Sequence, residues 1–240
     1  MKRWSIAFIC LLAVALLTAC AGTTQPGNGL LEFPKTSWEM TPEEVMVAYG
    51  VSKDTVTVND SAEQPAFSIE NLACFGQTAS NVIFSFQKDD AGVLRLANVL
   101  LLYPDEADMD QVKSKLTDDY GSSIPQFTNL RTAPGGTGYE EETLEETEHF
   151  AFWHSITPVS QYLNTEQLAT FSKAAEKKDN EMQAGGVWKA YAQQMPLVTL
   201  TWENNARLPG ATSAPVDYPK NRVEFNASIL HYLPQLMQGA

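Results

Sequence analysis

Basic residues are scarce in this chain. Sixteen lysines and arginines stand against 29 aspartates and glutamates, which gives a formal net charge of −13 over 240 residues. Proteins that bind nucleic acid or dock on anionic lipid need a basic surface, because the phosphates they contact are negative. The composition therefore argues against nucleic acid as a partner, and the acidic excess by itself indicates little more than solubility.

Patterns that carry metal or catalytic chemistry are also missing. The sequence has three histidines and contains no His-x-x-x-His, Cys-x-x-Cys or Gly-x-Ser-x-Gly. The glycine-rich Gly135-Gly136-Thr137-Gly138 leads into acidic sequence, not into a helix whose N-terminus could hold a phosphate. We therefore expect no metal site, no cofactor and no catalytic residue, and we predict that the protein is not an enzyme.

Long hydrophobic runs are absent except at the start of the chain. Lys2 and Arg3 precede an apolar stretch from Ile6 to Leu17, which is shorter than the roughly 20 residues of a membrane span. This order is typical of a signal peptide. The next residues, Leu17-Thr18-Ala19-Cys20, resemble the lipobox of bacterial lipoproteins.

The lipobox resemblance implies where the protein is located in the cell. It implies cleavage after residue 19, diacylglycerol on the Cys20 sulfur and usually a further acyl chain, such as palmitate, on the new N-terminus. Two or three acyl chains, at about 0.8 kcal/mol per buried CH₂, hold a protein durably on a membrane. We expect an extracytoplasmic protein anchored to the cell membrane or the outer membrane.

Cysteine is scarce once the signal peptide is removed. Cys10 leaves with residues 1–19, Cys20 is the expected lipid site, and only Cys74 remains. No intramolecular disulfide can form, so the fold must be held by packing, and we expect Cys74 to be a buried, inert thiol. The loss of Lys2 and Arg3 also changes the net charge from −13 to −15.

The rest of the chain divides into a lipidated tether (20–35), a first half (36–121) and a second half (122–240) that we expect to form one compact unit. The tether is rich in glycine and proline. The first half opens with Thr41-Pro42-Glu43-Glu44, a helix start with a capping box, and this helix ends near Gly50.

Each half has the order of one helix followed by three strands. Strand-like runs cover 66–75, 82–87 and 93–103, and after a helix over 107–120 they return at 150–156, 197–203 and 222–230. Two helices are predicted between 157 and 195 as an insertion. The sequence therefore predicts an α+β fold in which helices pack on one face of an antiparallel sheet. The shared order of elements is also compatible with two repeats, each of one helix and three strands.

The segment from Trp38 to Val45, with its short helix and following strands, resembles the opening of BamE (SmpA/OmlA)-like and beta-lactamase-inhibitor-protein-like domains. The resemblance covers residues 36–121. It implies a sheet with one or two packed helices and a protein that acts by binding other proteins without catalysis. It assigns no binding residue to this chain.

Two surface features of the second half are candidates for binding. The acidic run between Glu140 and Glu148 is predicted to be a solvated, extended segment, with weak calcium binding or a basic partner as the alternative. Trp153 and Trp202 could form an exposed aromatic patch beside the proline-containing loop 206–220. If Trp202 instead belongs to the core face of its strand, it serves only packing.

These observations predict a membrane-anchored lipoprotein of the cell envelope that acts as a non-catalytic protein-binding domain, with an envelope protein as its partner. The alternatives are a carrier of a small apolar or glycan ligand and an envelope enzyme. A large dry cavity favours the carrier, and ionisable residues that converge in one deep pocket favour the enzyme.

Overall fold

A computed structural model of the chain describes residues 30–59, 65–132, 139–154, 158–181, 185–204 and 221–238. The helices are α1 (Pro42–Tyr49), α2 (Met109–Tyr120), α3 (Val159–Tyr162), α4 (Thr165–Glu181), α5 (Val187–Gln194) and α6 (Ser228–Gln238). The strands are β1 (Thr57–Asn59), β2 (Ala66–Cys74), β3 (Gln77–Lys88), β4 (Leu94–Tyr103), β5 (Gln126–Thr132), β6 (Tyr139–Glu145), β7 (Phe150–His154), β8 (Thr199–Asn204) and β9 (Asn221–Asn226).

The α+β fold predicted from the sequence is confirmed. Seven strands form one antiparallel sheet in the order β1-β2-β3-β4-β9-β8-β7, and β5 and β6 form a separate hairpin. The meander β2-β3-β4 belongs to the first half and β7-β8-β9 to the second. They join where β4 pairs with β9, so one sheet runs through both halves.

One face of the sheet carries the main core. The register places Val99 beside Phe225, and Phe225 beside Leu200, on neighbouring strands. All three side chains are fully buried, together with Val223 and Trp202 on the same face. Successive residues of a strand point to opposite faces of a sheet. The residues that alternate with these buried side chains along β4, β8 and β9 therefore lie on the second face.

The core face is covered by α1, α2 and the segment before α1. The rings of Phe33 and Tyr120 lie 5.3 and 5.5 Å from the ring of Phe225. The predicted start of α1 is confirmed, because Thr41 and Glu44 form the capping box and Gly50 closes the helix in the left-handed conformation at φ +67°.

The predicted tether includes residues that belong to the domain. Phe33 is 1 % exposed. The backbone oxygen of Leu30, three positions earlier, accepts a hydrogen bond from the indole Nε1 of Trp38 at 2.8 Å. Burial of an aromatic side chain in the core stabilises the folded state relative to its exposure to water. The domain therefore begins at or before Leu30. Residues 20–29, including Cys20, lie outside the described part of the chain.

Several elements of the second half differ from the prediction. The elements β5, α3 and α6 were not predicted, and β6 and β9 differ as follows. The acidic run, expected to be a solvated, extended segment, is extended and exposes Glu141, Glu145 and Glu148, but its part up to Glu145 forms β6 and pairs with β5, which was not predicted. The last strand, expected to continue to residue 230, ends at Asn226 because the side chain of Asn226 accepts a hydrogen bond from the backbone N–H of Ser228 at 3.0 Å. This local bond turns the chain into α6. The two inserted helices are confirmed as α4 and α5.

Cys74 is half-buried and forms no disulfide. Burial raises the pKa of its thiol to about 12, so the thiolate is not populated at neutral pH. This agrees with the prediction of an inert thiol, since the thiolate is the reactive form. Among the described residues no helix is long and apolar enough to cross a membrane.

Candidate functional site

Both tryptophans expected to form an exposed patch are buried. Trp202 has no exposed surface, and its indole Nε1 donates a hydrogen bond to the backbone oxygen of Met109 in α2 at 2.9 Å. Trp153 is 3 % exposed, and its Nε1 donates to the oxygen of Gly121 at 2.8 Å. Both side chains are therefore packed on the core face, Trp202 against α2 and Trp153 against the residue that follows α2, as in the packing alternative. Trp153 also borders a cleft on the second face of the sheet. The loop 206–220 lies outside the described residues.

The second face of the sheet, by contrast, opens into a cleft with a volume of about 540 Å³. Its floor is formed by alternate residues of β8 and β9, which point away from the core face. Its walls come from the β5–β6 hairpin, from β7, from α5 and the segment after it, and from the start of α6. The floor residues are Thr199, Thr201, Glu203, Arg222, Glu224 and Asn226.

The walls of the cleft are mainly aromatic and aliphatic. On one side Phe127 of the hairpin lies 5.7 Å from Phe152 of β7, measured between ring centroids, and Phe150 lies 5.4 Å from the same ring. Trp188 and Tyr191 of α5 also line the cleft and are half-buried. Apolar walls with a few polar groups on the floor are the usual composition of a small-molecule site.

The α5 wall is held in place by a buried carboxylate. Asp179 of α4 is 6 % exposed and accepts hydrogen bonds from the backbone N–H groups of Gly186 at 2.5 Å and Trp188 at 3.0 Å. These N–H groups lie at the start of α5, where the helix supplies no partner for them. Asp179 thus caps α5 from a neighbouring helix and fixes the position of Trp188 at the rim of the cleft.

The floor of the cleft contains a buried ion pair. Cross-strand pairing places Glu203 of β8 directly beside Arg222 of β9, and Arg222 Nη2 donates to Glu203 Oε1 at 2.5 Å. The two side chains are 5 % and 8 % exposed. Burial raises the pKa of the Glu203 carboxyl, the Arg222 guanidinium opposes that rise, and the nearby charge of Glu224 adds to it.

Glu224 is the more accessible carboxylate of the floor. It is half-buried, lies beside Thr201 across the strand pair, and accepts a hydrogen bond from the side-chain amide of Asn98 on β4 at 2.6 Å. It lies two positions after Arg222 along β9, with only Val223 between them, so both point to the same face. The sequence indicated this alternation, but only the register of β8 on β9 brings Glu203, Arg222 and Glu224 together.

The described residues contain no group of three or more histidine, cysteine, aspartate or glutamate side chains placed to hold a metal ion. Comparisons of the chain with family models, with curated proteins and with solved structures found no match.

Proposed function

We propose that the protein is a lipid-anchored lipoprotein of the cell envelope that binds a small ligand with an apolar body in the cleft, without catalysis. The observation that carries this proposal is the cleft itself. Its volume of about 540 Å³ lies within the range of roughly 300 to 1,000 Å³ that is usual for small-molecule sites. Its aromatic walls supply the apolar contact area, and its floor supplies polar groups that can orient a ligand.

The accessibility of the floor supports binding over catalysis. A general acid or base must reach the proton that it transfers, within about 3 Å. Glu203 is 5 % exposed and its Oε1 is engaged by Arg222, so little of its carboxylate is accessible to a ligand in the cleft. Glu224 then acts alone, whereas hydrolysis by paired carboxylates requires two accessible ones.

A small ligand also fits this cleft better than a protein partner does. An interface between proteins usually contains exposed aromatic or arginine anchors. The two tryptophans that the sequence offered as such anchors are both buried. Trp188 and Tyr191, which are half-exposed, line a concave site.

The short stretch of chain between the expected lipid site and the domain supports a position of the cleft near a membrane. Leu30, where the described domain begins, lies ten positions after Cys20 in the chain. Even a fully extended chain of that length spans only about 35 Å. A lipidated Cys20 would therefore keep the domain within roughly one domain diameter of the bilayer, within reach of molecules that partition into it.

The anchor is tested by Cys20→Ala. We expect the variant protein to lose all labelling by a radioactive fatty acid, because the sulfur that would carry the diacylglycerol is gone. The variant should be retained as the uncleaved precursor or released from the membrane fraction. Cys10→Ala is the matched control and should be labelled like the wild type. Full labelling of Cys20→Ala would rule out the proposed anchor.

The cleft is tested by Trp188→Ala. We expect the Kd for the neutral fluorescent probe N-phenyl-1-naphthylamine to rise at least about tenfold, because an aromatic wall is removed, a loss of about 1.4 kcal/mol or more. Val47→Ala is the control, since Val47 is 79 % exposed on α1 and distant from the cleft. Probe fluorescence titrations and thermal melts are measured on the same samples.

A second variant separates loss of the site from loss of the fold. Thr201→Phe adds a ring to the floor without removing any core residue, and we expect it to block the probe while the melting temperature stays near that of the wild type. If the wild type does not bind the probe, or if both cleft variants bind it like Val47→Ala, the cleft is not a ligand site.

A further inference from the structure

We propose that the cleft selects cationic amphiphiles, with the ligand's protonated amine at Glu224 and its apolar body along the walls formed by the β5–β6 hairpin, β7 and α5. This inference rests on the proposed function and names its ligand class. It follows from the charges on the floor, from the position of Glu224 and from the chemistry of the surrounding groups.

The charges of the floor leave one negative charge in excess. Among the described residues that line the cleft, the ionisable acids and bases are Glu203, Glu224 and Arg222. Two carboxylates and one guanidinium give a net charge of −1. The site is half-enclosed by apolar walls, where a charge interacts more strongly than in bulk water. An ammonium group brings this site to neutrality, whereas a carboxylate or phosphate adds repulsion.

Glu224 is placed to hold the cation. An ionised carboxylate has about four lone-pair positions, and the amide of Asn98 takes one of them at 2.6 Å while fixing the side chain. The hydroxyl of Thr201 lies on the same face directly beside Glu224, because the two residues are cross-strand partners. An ammonium has three N–H donors and can share them between these two acceptors.

The neighbouring carboxylate increases the advantage of a cation. The two carboxylates lie on the same face of neighbouring strands, and repulsion by the charge of Glu224 contributes to the raised pKa of the Glu203 carboxyl. A bound ammonium at Glu224 offsets that repulsion. The aromatic side chains of the walls also favour a cation over an anion, since ring faces carry negative charge density.

Three ligands with the same apolar body test the inference: 4-phenylbutylamine, 4-phenylbutanol and 4-phenylbutanoate. The mature lipoprotein is reconstituted in phosphatidylcholine nanodiscs, and empty nanodiscs correct for partition into the lipid. Isothermal titration should give a Kd for the amine at least about tenfold lower than for the alcohol, and the weakest binding for the carboxylate. The preference for the amine should decrease as salt is added, since the Debye length shortens.

Glu224→Gln identifies the group responsible. Glutamine keeps an oxygen for the Asn98 amide but removes the charge, so the amine should bind like the alcohol while the affinity for the alcohol stays unchanged. Glu70→Gln is the control, because it removes one negative charge at an exposed position of β2 outside the cleft. It should retain the full preference for the amine.

The outcomes distinguish the two proposals. Equal binding of amine and alcohol to the wild type, or a preference for the amine that survives in Glu224→Gln, overturns the charge selectivity and leaves the ligand site standing. No binding of any of the three ligands overturns both proposals. A loss of the preference in Glu70→Gln would assign it to the overall charge of the protein and would also overturn the inference.

Discussion

Trp202→Ala is expected to lower the free energy of unfolding by about 3 to 5 kcal/mol, the range for truncation of a buried aromatic residue. Trp202 has no exposed surface and lies between Ala151 and Val223 in the register of three strands. Its indole N–H donates to the oxygen of Met109, and Lys113 Nζ lies 5.1 Å from its ring. The substitution removes packing and leaves the buried oxygen of Met109 without that donor.

The measurement is urea unfolding followed by circular dichroism, with Trp188→Ala as the matched control. Both substitutions remove a tryptophan, but Trp188 is half-buried at the wall of the cleft. We expect Trp202→Ala to shift the unfolding midpoint strongly and Trp188→Ala to act mainly on ligand affinity. An unchanged midpoint for Trp202→Ala, together with reduced binding of a partner, would show instead that Trp202 is a surface anchor.

Arg222→Met is expected to lower the free energy of unfolding by about 3 to 5 kcal/mol at neutral pH, because it leaves a buried carboxylate without its cation. The pair that it breaks is 2.5 Å long and nearly closed to solvent. The double variant Arg222→Met/Glu203→Met should recover most of the loss, since replacing both charges with apolar side chains is often close to neutral. Equal destabilisation of the single and double variants would contradict this explanation.

The pH dependence of Arg222→Met gives an independent check. Burial and the charge of Glu224 raise the pKa of Glu203 above its ordinary value of 4.5, whereas the hydrogen bond and charge of Arg222 lower it. Removal of Arg222 should therefore raise this pKa further. A carboxyl with a raised pKa in the folded state destabilises that state only where it is ionised. The penalty is absent below the pKa of the unfolded chain and grows as the pH rises through the folded-state pKa. The deficit relative to wild type should therefore be smaller at about pH 5 than at about pH 8, as measured by urea midpoints at both values.

The local elements of the fold could be predicted because their signals are short. Thr41 and Glu44 form a capping box within one helical turn, and Gly50 supplies the left-handed residue that ends α1. Asp108 likewise caps α2 through the N–H of Gln111 at 3.0 Å. Such signals depend on residues within four positions of each other, so they do not require knowledge of the rest of the chain.

The elements that were mispredicted depend on distant partners or on one competing bond. The charges of β6 favour a solvated segment, but Leu144 pairs with Phe127 of β5, and both side chains line the cleft. The alternation of Val223 and Phe225 could continue to Ile229, yet the bond from Ser228 N–H to Asn226 ends the strand. Tertiary packing in the first case and a local turn in the second outweigh the hydrophobic pattern.

The sequence by itself determined the α+β class, the helix caps, most strands and the small number of cysteines, because these follow from local pattern and composition. Only the tertiary structure decided which face of β7 and β8 is the core. Both faces carry large apolar residues, with Trp153 and Trp202 on one face and Phe150 and Phe152 on the other. α2 and the residue after it contact the tryptophans, and the register of β8 on β9 places Glu203, Arg222 and Glu224 on the open face. A register is fixed by pairing between segments that are far apart in the chain, and a change of one residue would move every one of these side chains to the opposite face.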